Sequence, residues 1–187
     1  MRYFRKDSPK RTCTKTYANY KSFKKYLRED FNFRCGYTDC SDFWFGGSNT
    51  FHIDHFKPYS KYPTLKTTYS NLVYCCSYVN ILKSNDEGNY LHPYDVDFNE
   101  HFDRNIEGRI TPKATSVEAN YMYNKLKLGL KRYALIWKLD ELVDKQKRLI
   151  EKIETLEDGD LKDSLHILNS KLSIYINKYL LGLKGEQ

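Results

Sequence analysis

The stretch "FHIDHFKPYS", residues 51 to 60, sets two histidines around one carboxylate and stops the run at Pro58. An imidazole with an ordinary pKa of about 6.5 is largely neutral at pH 7 and can take a proton from water, so His55 is a candidate general base. In a strand, His52 and Asp54 share one face while Ile53 and His55 share the other, and twist near the strand end can bring Asp54 and His55 to one cleft. An Asp-His neighbour pair alone is more often a surface ion pair. What raises its interest is the downstream run "YSNLVYCCSYVNILKSN", with Asn71 sixteen residues after His55, Asn80 twenty-five after it, and Lys83 a helical turn later.

These residues need elements to hold them. From Phe31 to about Thr111 the chain is rich in Cys, Asn, His and aromatic residues in short runs, punctuated by Gly46, Gly47, Pro58, Pro63, Gly88 and Pro93, which predicts a compact, loop-rich region. Residues 1 to 16 read as an irregular basic arm, and Tyr20, Phe23, Tyr26 and Leu27 predict a short amphipathic helix from Tyr17 to Asp30. After Pro112 the pattern is helical. Ser116 can cap a run carrying Tyr121, Leu126, Leu130, Tyr133, Trp137, Leu142, Leu149 and Ile153. "LEDGD" at 156–160 breaks it, and a second run goes from Leu161 to Tyr179. An antiparallel helical hairpin is the economical reading, serving either to cover the core or as a dimer or partner surface.

Composition narrows the class. The chain has 187 residues, long enough to bury a real interior, and a net charge of +7. Residues 1 to 34 hold eleven Lys/Arg against three Asp/Glu, so the cationic excess is N-terminal. Interleaved with Tyr3, Phe4, Tyr17, Tyr20, Phe23 and Tyr26, it reads either as a phosphate-contacting surface or as a solvated helix face with a leader. No stretch approaches the roughly 18 apolar residues of a membrane span, and the N-terminus lacks the apolar segment of a secretory signal. Five cysteines, an odd number, argue against a disulfide framework, and a cytoplasmic location is the default expectation.

The order D-H-x-x-P, then N-L, then N-x-x-K, over Phe33 to Asn85, resembles the HNH endonuclease family. The resemblance implies an α+β fold: an N-terminal helix, a ββα-metal core in which a hairpin is clasped to one helix, and a long C-terminal helical hairpin. The expected divisions are 1–34 for the basic arm and helix, 35–112 for the nuclease core and 113–187 for the hairpin. The family's roles make His55 the general base, Asp54 and Asn80 the metal ligands, and Asn71 the residue that pins the loop between the strands and orients the base. Lys83, Lys57 and His52 are expected at the nucleic acid. A carboxylate, an amide and waters form a hard oxygen site, so Mg²⁺ or Mn²⁺ is expected, bridging the scissile phosphate and leaving 5′-phosphate and 3′-hydroxyl ends.

Many relatives also carry two C-x-x-C zinc knuckles. Here Thr38 stands opposite Cys35 and Val79 opposite Cys76, while adjacent Cys75 and Cys76 can hardly both reach one tetrahedral ion. Structural zinc is therefore not expected, and packing of Cys35, Thr38, Cys76 and Val79 is expected to replace it. His92, His101, Asp95 and Asp97 invite a second metal site, but a polar loop is the stronger reading. The "HPYDVDFNEHF" segment and the small size resemble stand-alone HNH proteins of bacterial anti-phage systems, including Septu-type and retron-associated ones, which work beside an ABC-type or SMC-like ATPase. That resemblance implies DNA as the favoured target, with RNA left open, and the C-terminal helices as the ATPase docking surface. The rival reading is a non-catalytic nucleic-acid-binding or assembly subunit.

Overall fold

A computed structural model of the chain describes residues 2–185. Met1, Glu186 and Gln187, the outermost residues of the basic arm and of the hairpin region, lie outside the described residues. The fold is mixed α+β, with two small antiparallel sheets and five α-helices among the described residues. One sheet joins β1 (Arg2–Tyr3), β4 (Phe102–Arg104) and β5 (Ile110–Pro112) in the order β1-β4-β5. The other is the pair β2 (Phe51–His55) and β3 (Leu72–Cys76), in register with Phe51 opposite Cys76 and His55 opposite Leu72. Helix α1 spans Lys24–Asp30, and α2 (Ser77–Lys83) starts directly where β3 ends. The C-terminal part holds α3 (Val117–Lys125), α4 (Lys131–Glu154) and α5 (Asp160–Lys184).

The β2–β3 pair is sequence-driven. All five residues of β3 are buried, a continuous apolar run that packs on both faces, and the Phe51 ring at the start of β2 packs at a tilt against Tyr74, 4.8 Å between centroids. The main core is continuous from Phe4 through Phe23, Leu27, Val73 and Val79 to Met122 and Ile136. Residues of the basic arm, the central region and the start of the C-terminal region thus share one interior, and the divisions expected at 34/35 and 112/113 do not separate it. A smaller cluster of Leu139, Leu142 and Ile176 sits between α4 and α5, with Trp44 and Leu183 packed against both clusters.

Three expectations need correction. The arm is not wholly irregular: the backbone of Arg2 and Tyr3 pairs with Arg104 and Asp103, and a two-residue strand carries no periodicity to betray it. The first helix enters through a 3-10 turn at Tyr20–Phe23, capped by the Asn19 side chain, rather than running regularly from residue 17. The helical run after Ser116 is broken at 126–130, where Leu126 and Leu128 both turn into the core and Lys127 takes a φ of 52°. Two residues apart on a helix they would face different sides, so burying both requires leaving the helix. Beyond the break, α4 and α5 do form the antiparallel hairpin, with Leu135 against Gly182 and Gln146 bonded to Asn169 and Ser173.

Arg104 ties the three-stranded sheet to the rest. Its guanidinium is 1% exposed and donates to the carbonyls of Phe4 (2.9 Å), Gly108 (2.7 Å) and Thr38 (2.5 Å). Burial pushes its pKa down to about 10, yet it stays charged at neutral pH. The turn before β5 approaches α4 so closely that a Cβ on Gly108 would lie 2.7 Å from the Trp137 ring, and its φ of +85° suits glycine.

Candidate functional site

The hairpin and α2 bring the expected residues into one region, on two sides of β2. His52 and Asp54 face α2. The His52 Nδ1 lies 3.2 Å from the Asn80 amide nitrogen, and Asp54 Oδ1 accepts from Lys83 Nζ at 3.1 Å. His55 faces the other way, toward the connection between the strands and the start of the first helix, so the expectation that twist brings the Asp54 and His55 side chains to one cleft is corrected: they keep the alternation of the strand and share no side-chain partner.

His55 is 8% exposed and lies edge-on between Tyr20 (4.7 Å) and Tyr59 (4.8 Å). Its Nε2 is 2.9 Å from the carbonyl oxygen of Lys66. A carbonyl only accepts, so Nε2 carries the proton and Nδ1 is left with the lone pair. Burial pulls the His55 pKa below its usual value, outweighing the Lys66 carbonyl and Asp54, which favour the charged form. The ring is therefore neutral at pH 7, in one tautomer, with one nitrogen able to accept a proton.

Asn71 holds the segment that supplies this carbonyl. It is 6% exposed; its Oδ1 accepts from Lys57 N at 2.8 Å, and its Nδ2 donates to the carbonyls of Lys57 (3.0 Å) and Leu65 (3.3 Å). The 57–66 segment is clamped at both ends, which fixes the Lys66 carbonyl and through it the His55 ring.

Asp54 is 3% exposed and both oxygens are engaged, Oδ1 by Lys83 and Oδ2 by the Tyr37 hydroxyl at 2.7 Å. Lys83 is wholly buried, and its ammonium also donates to the carbonyls of His55 and Phe56, each at 3.0 Å. The expected reach of Lys83 to a phosphate is thus corrected: three oxygens surround Nζ inside the protein, because a buried ammonium must use its three donors there. The Lys83 cage instead fixes the backbone of His55 and Phe56. A carboxylate has about four lone-pair sites, so Asp54 retains acceptor capacity beside these two bonds.

The cysteines and the remaining histidines fall into separate places. Cys35, Thr38, Cys76 and Val79 are buried together, with the Cys35 and Cys76 sulfurs 3.9 Å apart. His92 packs on Phe56 at 4.3 Å and lies 3.5 Å from Asp95, His101 bonds Ser116 at 2.8 Å, and Asp97 caps the turn at Asn99. No group of three or more His, Cys, Asp or Glu side chains placed to hold a metal occurs among the described residues.

Part of the N-terminal cation is used internally. Arg5 is buried and donates to Gly36 O at 2.7 Å, Arg11 pairs with Asp95 at 2.7 Å, Arg28 with Asp42 at 2.6 Å, and Arg34 with Asp140. What faces solvent near His55 is the 57–66 connection, with exposed Lys57, Tyr59, Lys61, Tyr62 and Lys66, together with Lys21 beside Tyr20. Lys57 lies over the Tyr62 ring at 5.6 Å and Lys66 over Tyr59 at 5.4 Å. Tyr20, Tyr59 and Lys66 were not among the expected site residues. The alternation of Lys and Tyr in "KPYSKY" was the signal that could have found Tyr59; Tyr20 was marked only as one of the aromatics among the N-terminal cations, and its place against His55 comes from the packing of another element.

Comparison with models of known protein families gives no match, and comparison with curated proteins finds no relative.

Proposed function

We propose that this protein is a metal-dependent HNH endonuclease that hydrolyses phosphodiester bonds of nucleic acid, with DNA the favoured target. The observation that carries the reading is His55: a neutral imidazole at the end of a hairpin strand, its tautomer set by Lys66 and its nearest exposed neighbours lysines and tyrosines suited to a phosphate backbone and bases.

His55 takes the proton of the attacking water at Nδ1. Tyr20 and Tyr59 limit the water around the ring, which keeps it uncharged and ready. Lys57 and Lys66 attract the phosphate backbone to this side of the hairpin, while Lys61 is paired with Glu87. Asp54, through lone pairs not used by Lys83 and Tyr37, and Asn80, through its amide oxygen, would hold a hard cation such as Mg²⁺ or Mn²⁺, with His52 adjoining Asn80. The bound cation would act as a Lewis acid toward the phosphate and the departing oxygen. By its resemblance to anti-phage nucleases, the protein would work beside an ABC-type or SMC-like ATPase.

The engagement of both Asp54 oxygens favours a second reading, a nucleic-acid-binding or assembly subunit in which Asp54 and Lys83 only stabilise the core. One experiment separates them. Purified protein is incubated with supercoiled plasmid and Mg²⁺ or Mn²⁺, alone and with co-purified partners, beside His55→Ala and EDTA controls. Cleavage lost in both controls supports the nuclease. Plasmid binding without cleavage under every condition supports the binding subunit. Because the His55 pKa is lowered, the rate is expected to rise with pH through a midpoint below about 6.5 and to be level at pH 7.

A further inference from the structure

Helix α5 meets α4 through Leu172, Ile176, Tyr179 and Leu183, yet its outer side is also apolar. Ile167 (58% exposed), Ile174 (69%) and Leu181 (69%) recur every seven residues there, the repeat of a helix packed against another helix. The exposed polar residues on the same side, Asp163, Ser170, Lys171 and Lys178, are not randomly signed. Asp160 and Asp163 lie in the first turn, and between residues 164 and 185 the only formal charges are Lys171, Lys178 and Lys184. Asp163 and Lys178 form no ion pair among the described residues.

We propose that this face of α5 binds a second copy of the same chain, antiparallel, about a two-fold axis passing between residues 170 and 171. In that register Ile167 of each copy meets Ile174 of the other, and Asp163 of each meets Lys178 of the other, so two apolar pairs are bracketed by two opposite-charge pairs. A parallel pairing would set Asp163, Lys171 and Lys178 each against its own copy, three like-charge contacts, whereas the antiparallel register leaves one, Lys171 beside Lys171 at the axis. The antiparallel arrangement is self-complementary, as a two-fold interface must be. With 25 residues at 1.5 Å each, α5 is about 37 Å long, enough for the full seam. This inference stands independently of the nuclease reading.

The test is sedimentation equilibrium of the full chain with Asp163→Lys, Lys178→Asp, the double variant and Ile174→Glu, with circular dichroism to confirm that each folds. The expected result is a dimer of the wild-type chain, each charge reversal weakening it about tenfold, the double variant recovering most of that loss, and Ile174→Glu leaving a monomer. A wild-type chain that stays monomeric at about 100 μM overturns the proposal. A dimer indifferent to the charge reversals, or not rescued by the double variant, overturns this register.

Discussion

The hairpin–helix region and the C-terminal helical hairpin solve burial in opposite ways. Around β2, β3 and α2 the interior holds charges: Lys83, Asp54 and, further off, Arg104 are sealed from water and caged by named partners. In α4 and α5 the small interior is apolar, and large apolar side chains such as Ile174 and Leu181 stand in solvent. A caged charge tolerates no loss of a partner, because the remaining ion is left uncompensated, whereas an exposed apolar face loses little in the lone chain when one residue changes. The first region is therefore rigid in its chemistry, and the second is suited to contact with another molecule.

The strongest way to break the comparison is at Lys83. Lys83→Met removes the countercharge of Asp54 and the donors to two carbonyls, and is expected to cost about 3–5 kcal/mol in urea denaturation. A cost below about 1 kcal/mol would mean that the cage is no more than surface electrostatics. The companion Asp54→Asn, assayed by Mn²⁺ titration calorimetry, sharpens the site itself: lost binding in a folded variant supports Asp54 as a ligand, and retained binding leaves it with a structural duty alone.

Acid should damage the same region next. Burial holds the His92 pKa down to about 4, below the roughly 6.5 of the unfolded chain. The unfolded state then binds the extra proton between these values, so the His92 contribution is complete above about pH 6.5 and is lost as pH falls toward 4, by about 3 kcal/mol at the acid end. Chemical denaturation of wild type and His92→Gln across that window should show the wild-type curve falling more steeply. Parallel curves would remove His92 from the account.

Asn71→Ala should cost about 2 kcal/mol, since three hydrogen bonds of a buried amide go together, and should also reduce plasmid cleavage by loosening the Lys66 carbonyl from His55. Loss of stability with full activity would show that the loop does not orient the base. At the small end, Ile174→Ser is expected to change the stability of the dilute chain by less than about 0.5 kcal/mol. Lys57→Ala should leave folding alone, weaken nucleic-acid binding several-fold and lower the salt dependence by about one unit of slope.

The residues 51–55, 71 and 80–83 were legible as a group because their spacing survives any detail of packing. The hairpin of long helices was legible too, from apolar periodicity with a charged, glycine-bearing break at 156–160. The fate of Lys83 was not, since an N-x-x-K spacing on a helix reads alike whether the lysine points to solvent or inward; the walls that bury it include Phe56 and Tyr90, from other segments. The same applies to the basic arm. Its charge is plain in composition, but the pairing of Arg11, Arg28 and Arg34 with Asp95, Asp42 and Asp140 depends on contacts distant in sequence.

By itself, then, the sequence determined which groups are available: an imidazole beside a carboxylate, two asparagines and a lysine at defined spacing, a basic N-terminal excess, and two amphipathic helical runs. Those properties are local, set by residue type and by the period of strand or helix. Only the tertiary structure decided which nitrogen of His55 keeps its lone pair, that Lys83 neutralises Asp54 from within, and which side of α5 remains uncovered. Each of those depends on partners brought from other segments, where burial removes the solvent that would otherwise satisfy every polar group equally.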